Sequence, residues 1–115
     1  MNLEQLRSFV EVARFGNFTR AAEELYLAQP SLSRQIAALE QDHGTELFHR
    51  ARGGSTLTVA GESLLPLARR MLADAESVRR ELAELAGLER GRVRLGATPV
   101  PRDAARWPDA PRGTR

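Results

Sequence analysis

Residues 18–44, FTRAAEELYLAQPSLSRQIAALEQDHG, decide the fold because they predict two short helices joined by a tight turn. The first helix carries small residues, Ala21 and Ala22, where a second helix has to cross it closely. The second helix is expected to begin at Pro30, since proline lacks an N–H and its fixed φ suits the first helical position. Gln29 is then the expected N-cap residue.

The second of these helices has two different faces. Its predicted buried face recurs at steps of four and three, in Leu32, Ile36 and Leu39. The other face is small or hydrogen-bonding apart from one arginine, with no acidic residue before Glu40: Ser31, Arg34, Gln35 and Ala38. A helix-turn-helix inserts its second helix into the major groove and contacts base edges with the N-terminal part of that helix. The pattern is compatible with a helix that contacts DNA bases, but most amphipathic helix pairs in all-α domains bind nothing. The spacing alone does not favour DNA binding, and the order of the elements around the pair has to decide.

The segment before this pair predicts one more helix. Asn2 and Gln5 have the spacing of a capping box, and Gly16 suits the left-handed residue that ends a helix. Asn17 or Thr19 is expected to cap the next helix. Both side chains could also bind a phosphate at that helix N-terminus, but capping alone is the simpler explanation.

Residues 47–58, LFHRARGGSTLT, predict a hairpin with short strands at LF and TLT and a turn at RGG. A two-stranded hairpin directly after a helix-turn-helix is a wing, and residues 47–58 are called the wing below. Arg50 and Arg52 are expected at its tip, where arginines reach phosphates or a narrow minor groove. The alternative is that both are solvated loop arginines.

A long helix is predicted over residues 59–88, with Thr58 as its cap and a bend near Pro66. Its apolar residues alternate steps of four and three, which is the seam of a coiled coil: Leu64, Ala68, Met71, Ala75, Val78, Leu82 and Leu85. The seam is longer than the preceding part of the chain, a unit of about 60 residues, could cover. A second copy of the helix is therefore expected to cover it, which predicts a homodimer.

The last part of the chain has two different patterns. Residues 89–98 include GRVRLG, which alternates like a strand. Residues 99–115 contain four prolines and no apolar period, so a disordered tail is expected. Arginines and acidic residues are equal in number over residues 1–98, so bulk charge does not indicate a nucleic-acid partner, and only local placement can.

Several classes of function are not supported by the sequence. The chain has no cysteine, so disulfides and thiolate metal sites are excluded. His43 and His49 lack the spacing of a zinc site, and no Gly-rich phosphate loop or catalytic arrangement is evident. We expect no catalytic residue, metal or cofactor. Without a signal segment or a long apolar run, a cytoplasmic protein that makes no membrane contact is expected.

With FTRAAEELYLAQPSLSRQIAALE, LTVAGESLLPLARRML and GRVRLG in this order, residues 1–98 resemble the N-terminal part of a LysR-type transcriptional regulator. The resemblance implies a mainly α fold, with a winged helix-turn-helix at residues 1–58 and a dimerising linker helix at 59–88. It implies sequence-specific binding of double-stranded DNA as a dimer. The wing arginines would follow the flanking minor groove. The implied base contacts are Gln29, Pro30, Ser33 and Arg34, and the implied phosphate contacts are Thr19 and Ser31.

The sequence departs from the family pattern after GRVRLG. Members of the family continue there into a two-lobed effector-binding domain, whereas this sequence has the first strand and then the proline-containing tail. A truncated or frameshifted regulator that responds to no small-molecule effector is therefore expected. The alternative is an interaction fragment that binds no DNA and pairs through its linker helix with full-length relatives.

Overall fold

The computed structural model describes residues 1–94, which form four helices and one antiparallel pair of strands. This confirms the mainly α fold with a helix-turn-helix, a wing and a long helix. The expected residues 95–98 of the strand and the tail at 99–115 lie outside the described residues. The elements are α1 (Leu3–Phe15), α2 (Phe18–Glu24), α3 (Gln29–His43), β1 (Phe48–Ala51), β2 (Gly54–Leu57) and α4 (Val59–Arg94).

The ends of α1 and α2 follow local signals in the sequence. Asn2 and Gln5 form the capping box on α1, with the Asn2 side chain accepting from the Gln5 N–H at 2.8 Å. Gly16 ends α1 in the left-handed conformation, at φ 62°. Asn17 caps α2 by accepting from the Arg20 N–H at 2.9 Å. Of the two candidate caps, Asn17 is therefore the one used, and Thr19 lies in the first turn of α2.

The start of α3 differs from the expectation by one residue. Ala28 is the N-cap and makes no side-chain capping bond, while Gln29 is the first helical residue and Pro30 the second. Proline fits the second position as well as the first, because neither N–H has an acceptor within the helix. The expected capping role of Gln29 is therefore wrong, and its side chain is left exposed on the first turn.

Three phenylalanines, one each from α1, α2 and β1, form the centre of the core. The Phe9 and Phe48 ring centroids are 5.3 Å apart, and Phe18 meets Phe48 edge-on at 5.6 Å. The small residues Ala21 and Ala22 are buried, as the close crossing of helices requires. The same core buries the predicted face of α3 together with residues of α1, α4 and the segment before β1: Leu6, Val12, Leu32, Ile36, Leu39, Leu47 and Ala68.

The strands of the wing are shifted from the predicted positions, 47–48 and 56–58. Phe48 pairs with Leu57 and Ala51 pairs with Gly54, so pairing continues up to a turn at residues 52–53. Gly53 permits this tight turn because its φ is 90°. Arg50 was expected at the tip of the wing but lies within β1. Of the two wing arginines, only Arg52 is in the turn.

The start of α4 is joined to the start of the wing. Thr58 caps the helix, since its Oγ1 accepts from the Gly61 N–H at 3.0 Å and donates to the Glu46 carbonyl at 2.7 Å. The Thr58 N–H also donates to the Leu47 carbonyl at 3.0 Å. A Cβ on Gly61 would overlap that carbonyl oxygen and lie 2.8 Å from Leu57 Cδ2. Only glycine fits here without displacement.

The helix α4 continues to Arg94, beyond the expected end at residue 88. Residues 89–94 are therefore helical where a strand was expected. A helix satisfies its backbone hydrogen bonds within one segment, whereas a strand needs a neighbouring strand. No described residue offers such a strand to pair with GRVR. Within residues 1–94, moreover, no helix has the length and apolarity needed to cross a membrane.

The predicted seam of α4 divides into two parts. The chain separates into two compact units, the first ending at Ser77 and the second beginning at Val78. In the first unit Ala68 is fully buried in the core, and Leu64 and Met71 pack against that core. The expected dimer contact by Ala68 is therefore wrong, because its surface is already covered within the chain. In the second unit an apolar row, called the exposed stripe below, is open to solvent: Val78, Leu82, Leu85 and Leu88.

Candidate nucleic-acid interface

The first turns of α3 present polar side chains to solvent. Gln29, Pro30 and Arg34 are exposed, and Ser31 and Ser33 are half-buried. The Arg34 guanidinium donates from Nη2 to Ser31 Oγ at 3.2 Å, so it lies along the helix surface one turn from the start. The opposite face, which includes Leu32, is anchored in the core. This burial fixes which side of α3 is available to a ligand.

Gln35 does not lie on the exposed face, where it was predicted. Ser8, which is 2% exposed, donates its hydroxyl proton to Gln35 Oε1. This bond joins α1 to α3 at the residue next to Arg34. It satisfies a polar group that would otherwise cost free energy in the core, and it fixes the rotation of α3 about its axis. The periodicity gave no signal for it, because Ser8 occupies an apolar position of α1.

Arg50 on β1 is held against the first turns of α2 and α3. Its Cζ lies 3.7 Å from the centroid of the Phe18 ring, which is a close cation–π contact. Its Nη1 donates to Ser33 Oγ at 3.5 Å. The positive charge of the wing is therefore placed directly beside the exposed face of α3. The sequence did not predict this position beside α3, because its hairpin pattern indicated that Arg50 would lie at the tip of the wing.

Glu40 joins the far end of the same face of α3 to the wing. Its Oε2 accepts from the Leu47 N–H at 2.8 Å and from the Phe48 N–H at 3.3 Å. The carboxylate is thus occupied by backbone donors where the wing begins. This contact fixes the position of β1 relative to α3, and Arg50 with it. Glu40 is therefore a positioning residue, and no pattern in the sequence indicated this role.

Two clefts meet at Arg50. The larger, of about 750 Å³, lies between α3 and β1, where Ser33 and Arg34 line one wall. The smaller, of about 230 Å³, lies between the hairpin and the starts of α2 and α3, and includes Thr19 and Gln29. Thr19, Gln29, Ser33, Arg34 and Arg50 therefore form one continuous polar surface, called the reading face below. Arg52 lines neither cleft and is exposed at the hairpin turn.

The histidines do not form a metal site. Among the described residues, no three His, Cys, Asp or Glu side chains lie close enough together to hold a metal ion.

His43 Nε2 lies 3.4 Å from Met1 Sδ, and the neighbouring Asp42 carboxylate contacts the Met1 ammonium. The hydrogen bond from that ammonium holds the pKa of Asp42 below its usual value. This arrangement joins the chain start to the end of α3.

Comparison with known proteins gives one consistent result. Residues 3–62 match the family described as bacterial regulatory helix-turn-helix protein, lysR family. The "SDS degradation transcriptional activation protein" of Pseudomonas sp. (strain ATCC 19151) is 42% identical over 99% of this chain. The "HTH-type transcriptional regulator CfxR" of Cupriavidus necator is 42% identical over 84% of it. The chain spans only 39% and 30% of the lengths of these two relatives.

Solved structures give the same result for the fold. The crystal structure of the "CbnR_DBD-DNA complex" matches with a TM-score of 0.72 and 40% identity, covering 75% of this chain and 99% of that one. The "BenM_DBD/catB site 1 DNA Complex" also matches with a TM-score of 0.72, at 35% identity, covering 75% and 96%. Both were crystallised with DNA.

Proposed function

This chain belongs to the LysR family of bacterial helix-turn-helix transcription regulators, and we propose that it binds a specific double-stranded DNA sequence as a homodimer. The observation that carries the proposal is the reading face, where the exposed start of α3 and the fixed charge of Arg50 lie side by side. The relatives are regulators of transcription and not enzymes. A protein with this function acts in the cytoplasm, where a bacterial chromosome lies.

In this proposal α3 enters the major groove with its first turns. Arg34 donates to guanine, because a guanidinium fork matches the O6 and N7 acceptors of that base. Gln29, Pro30 and Ser33 supply the neighbouring contacts to bases. Thr19 and Ser31 bind phosphates on either side of the groove, as polar side chains near helix N-termini commonly do.

The two wing arginines have different roles in this proposal. Arg50 is fixed on Phe18 and beside Ser33, so it supports α3 at the edge of the groove in which the helix lies. Arg52 is in the hairpin turn and binds the backbone or the minor groove beyond it. A contact to the backbone adds affinity for any sequence, whereas a contact to a base edge adds affinity for one sequence.

The dimer forms through α4. The exposed stripe places Val78, Leu82 and Leu85 in solvent, each 56% exposed, on a helix that a second copy can cover. Pairing of two identical stripes removes this apolar surface from water and extends the contact to Ala75, which is half-buried. Linking two reading faces then raises the affinity for a site with two halves.

No small-molecule effector is part of the proposal. A ligand regulates a protein only through different affinities for two conformations, and it needs a concave site in which to bind. Both clefts at Arg50 belong to the reading face, and a third, of about 460 Å³, adjoins the larger of them at the end of α3. A bound duplex would occupy the two clefts of the reading face, so a small molecule there would compete with DNA and would not act as an inducer.

The experiment that tests the proposal compares Arg34→Ala with Arg52→Ala on two DNAs. One duplex is recovered by in vitro selection with this chain, and the other has the same base composition in scrambled order. Arg34→Ala should cost about 1–3 kcal/mol on the selected duplex and much less on the scrambled one. Arg52→Ala should weaken binding to both duplexes alike. Equal losses from Arg34→Ala on the two duplexes would show that α3 does not read bases through this residue.

A further inference from the structure

Two arginines lie against the ring of Phe15, outside the reading face. The Arg14 Cζ lies 4.8 Å from the Phe15 ring centroid, and the Arg20 Cζ lies 5.5 Å from it. Phe15 is half-buried and packs against the core, so the ring is a fixed platform. Both arginines are exposed. These three residues are called the Arg14–Phe15–Arg20 cluster below.

The cluster adjoins the smaller cleft of the reading face. Gly16, the residue after Phe15, accepts a hydrogen bond at its carbonyl from the Ser55 N–H of β2, at 2.9 Å. Asn17 and Thr19 line the smaller cleft, and Arg20 follows Thr19 directly in α2. The cluster therefore continues the polar surface outward, from the start of α2 to the end of α1.

The charge of the cluster is only partly neutralised. Arg14 pairs with Glu11 at 3.2 Å. Within residues 1–94, Arg20 has no carboxylate within ion-pairing distance, and its contact is with the ring. A guanidinium that lies over an aromatic ring keeps its N–H edges available. Those edges form charge-assisted, bidentate hydrogen bonds best with a phosphate or a carboxylate.

We propose that the Arg14–Phe15–Arg20 cluster binds a backbone phosphate of the DNA, outside the sequence that α3 reads. This inference rests on the proposed function, because it assumes that the reading face lies against a duplex. The cluster lies beside Thr19, which we assign to a contact with the DNA backbone. A backbone phosphate is therefore the anion that the cluster would meet. The cluster thus lengthens the DNA segment that one subunit covers and adds affinity for any base sequence.

The test is the salt dependence of DNA binding. The affinity of a protein for duplex DNA falls with salt with a logarithmic slope of about 0.9 for each neutralised phosphate. We compare the full chain with the double variant Arg14→Ala/Arg20→Ala on the selected duplex, between about 50 and 200 mM salt. One lost phosphate contact should reduce the slope by about 0.9, and the affinity at about 0.15 M salt roughly five-fold.

Two further variants separate this contact from general charge effects. Arg7→Ala removes an exposed arginine two turns earlier on α1 and should leave the slope unchanged. Arg14→Lys/Arg20→Lys keeps the positive charge and should retain most of the slope. Losses from Arg7→Ala equal to those from the double alanine variant would overturn the inference, as would an unchanged slope in the double alanine variant. Both of these outcomes are compatible with DNA binding by the unmodified chain, so they would leave the proposed function standing. Failure of the unmodified chain to bind any duplex would overturn the proposed function itself.

Discussion

Gly61→Ala tests the junction that holds the wing and α4 together. Gly61 lies in the first turn of α4, where its N–H donates to the cap residue Thr58. An added Cβ would overlap the Leu47 carbonyl oxygen and approach Leu57 Cδ2 to 2.8 Å. Carbon atoms in ordinary contact are about 3.5–4.0 Å apart, so α4 or the start of β1 would have to move.

The size of the effect follows from two opposing terms. Alanine is better than glycine in a helix by about 0.8–1.0 kcal/mol. Overpacking of a filled site costs about 1–3 kcal/mol, and here the obstructing atom is backbone, which cannot rotate away. With the upper end of that cost, about 3 kcal/mol, less the helix gain of about 1 kcal/mol, we expect a net loss of about 2 kcal/mol in the free energy of unfolding. Such a loss lowers Tm by roughly 8–16 °C in a domain of this size.

Gly87→Ala is the matched control, because it makes the same change in the same helix. A Cβ at Gly87 meets nothing within 4 Å, so this variant should unfold at the original temperature or above it. Thermal unfolding of both variants at one protein concentration, followed by circular dichroism, measures the difference. If Gly61→Ala were as stable as Gly87→Ala, α4 would not begin against Leu47 and the described junction would be wrong.

Three other predictions follow from contacts described above. Val78→Asp should convert the proposed dimer into a monomer in sedimentation, because the new charge would be buried where the two exposed stripes pair. An unmodified chain that is already monomeric at tens of micromolar would refute the dimer, taking about that concentration as the working range for such interfaces. Ser8→Ala should cost about 1–3 kcal/mol in urea unfolding, since it leaves the half-buried Gln35 without its donor, and no loss would show that water replaces the bond. Glu40→Gln should lower the free energy of unfolding by about 1–2 kcal/mol, because a neutral amide accepts the Leu47 and Phe48 N–H groups more weakly than a carboxylate does. Unchanged stability would mean that Glu40 does not position the wing.

Local patterns in the sequence predicted most of the fold. The Asn2–Gln5 capping box and the Gly16 stop depend on neighbours within one turn, and the structure confirms both. The spacing of Leu32 and Ile36 identified the buried face of α3 for the same reason. Such signals depend on helix geometry alone, so they do not need the tertiary structure.

The missed contacts join residues that are far apart in the chain. The Ser8–Gln35 bond joins α1 to α3, and the Arg50–Phe18 contact joins β1 to α2. Each crosses more than 20 positions, so it exists only once those elements are packed together. Arg50 was misplaced for a related reason, since the length of a hairpin strand depends on which backbone groups pair. The reading face was therefore predicted as a set of residues, but the way in which it is held rigid was not.

The seam of α4 shows the limit of a periodic pattern. Its spacing continues without a break from Leu64 to Leu85. The structure nevertheless covers Ala68 with residues of the same chain and leaves Val78 in solvent. A heptad pattern identifies apolar positions but does not identify the surface that covers them.

The most direct test of the central claim is the ratio of two affinities of the unmodified chain, measured at about 0.15 M salt. One affinity is for the duplex obtained by selection, and the other is for the same bases in scrambled order. A reading face that contacts base edges should prefer the selected duplex by roughly 10³-fold or more. Equal affinities for the two duplexes would contradict the claim, because a chain that binds only the backbone could not recognise a sequence.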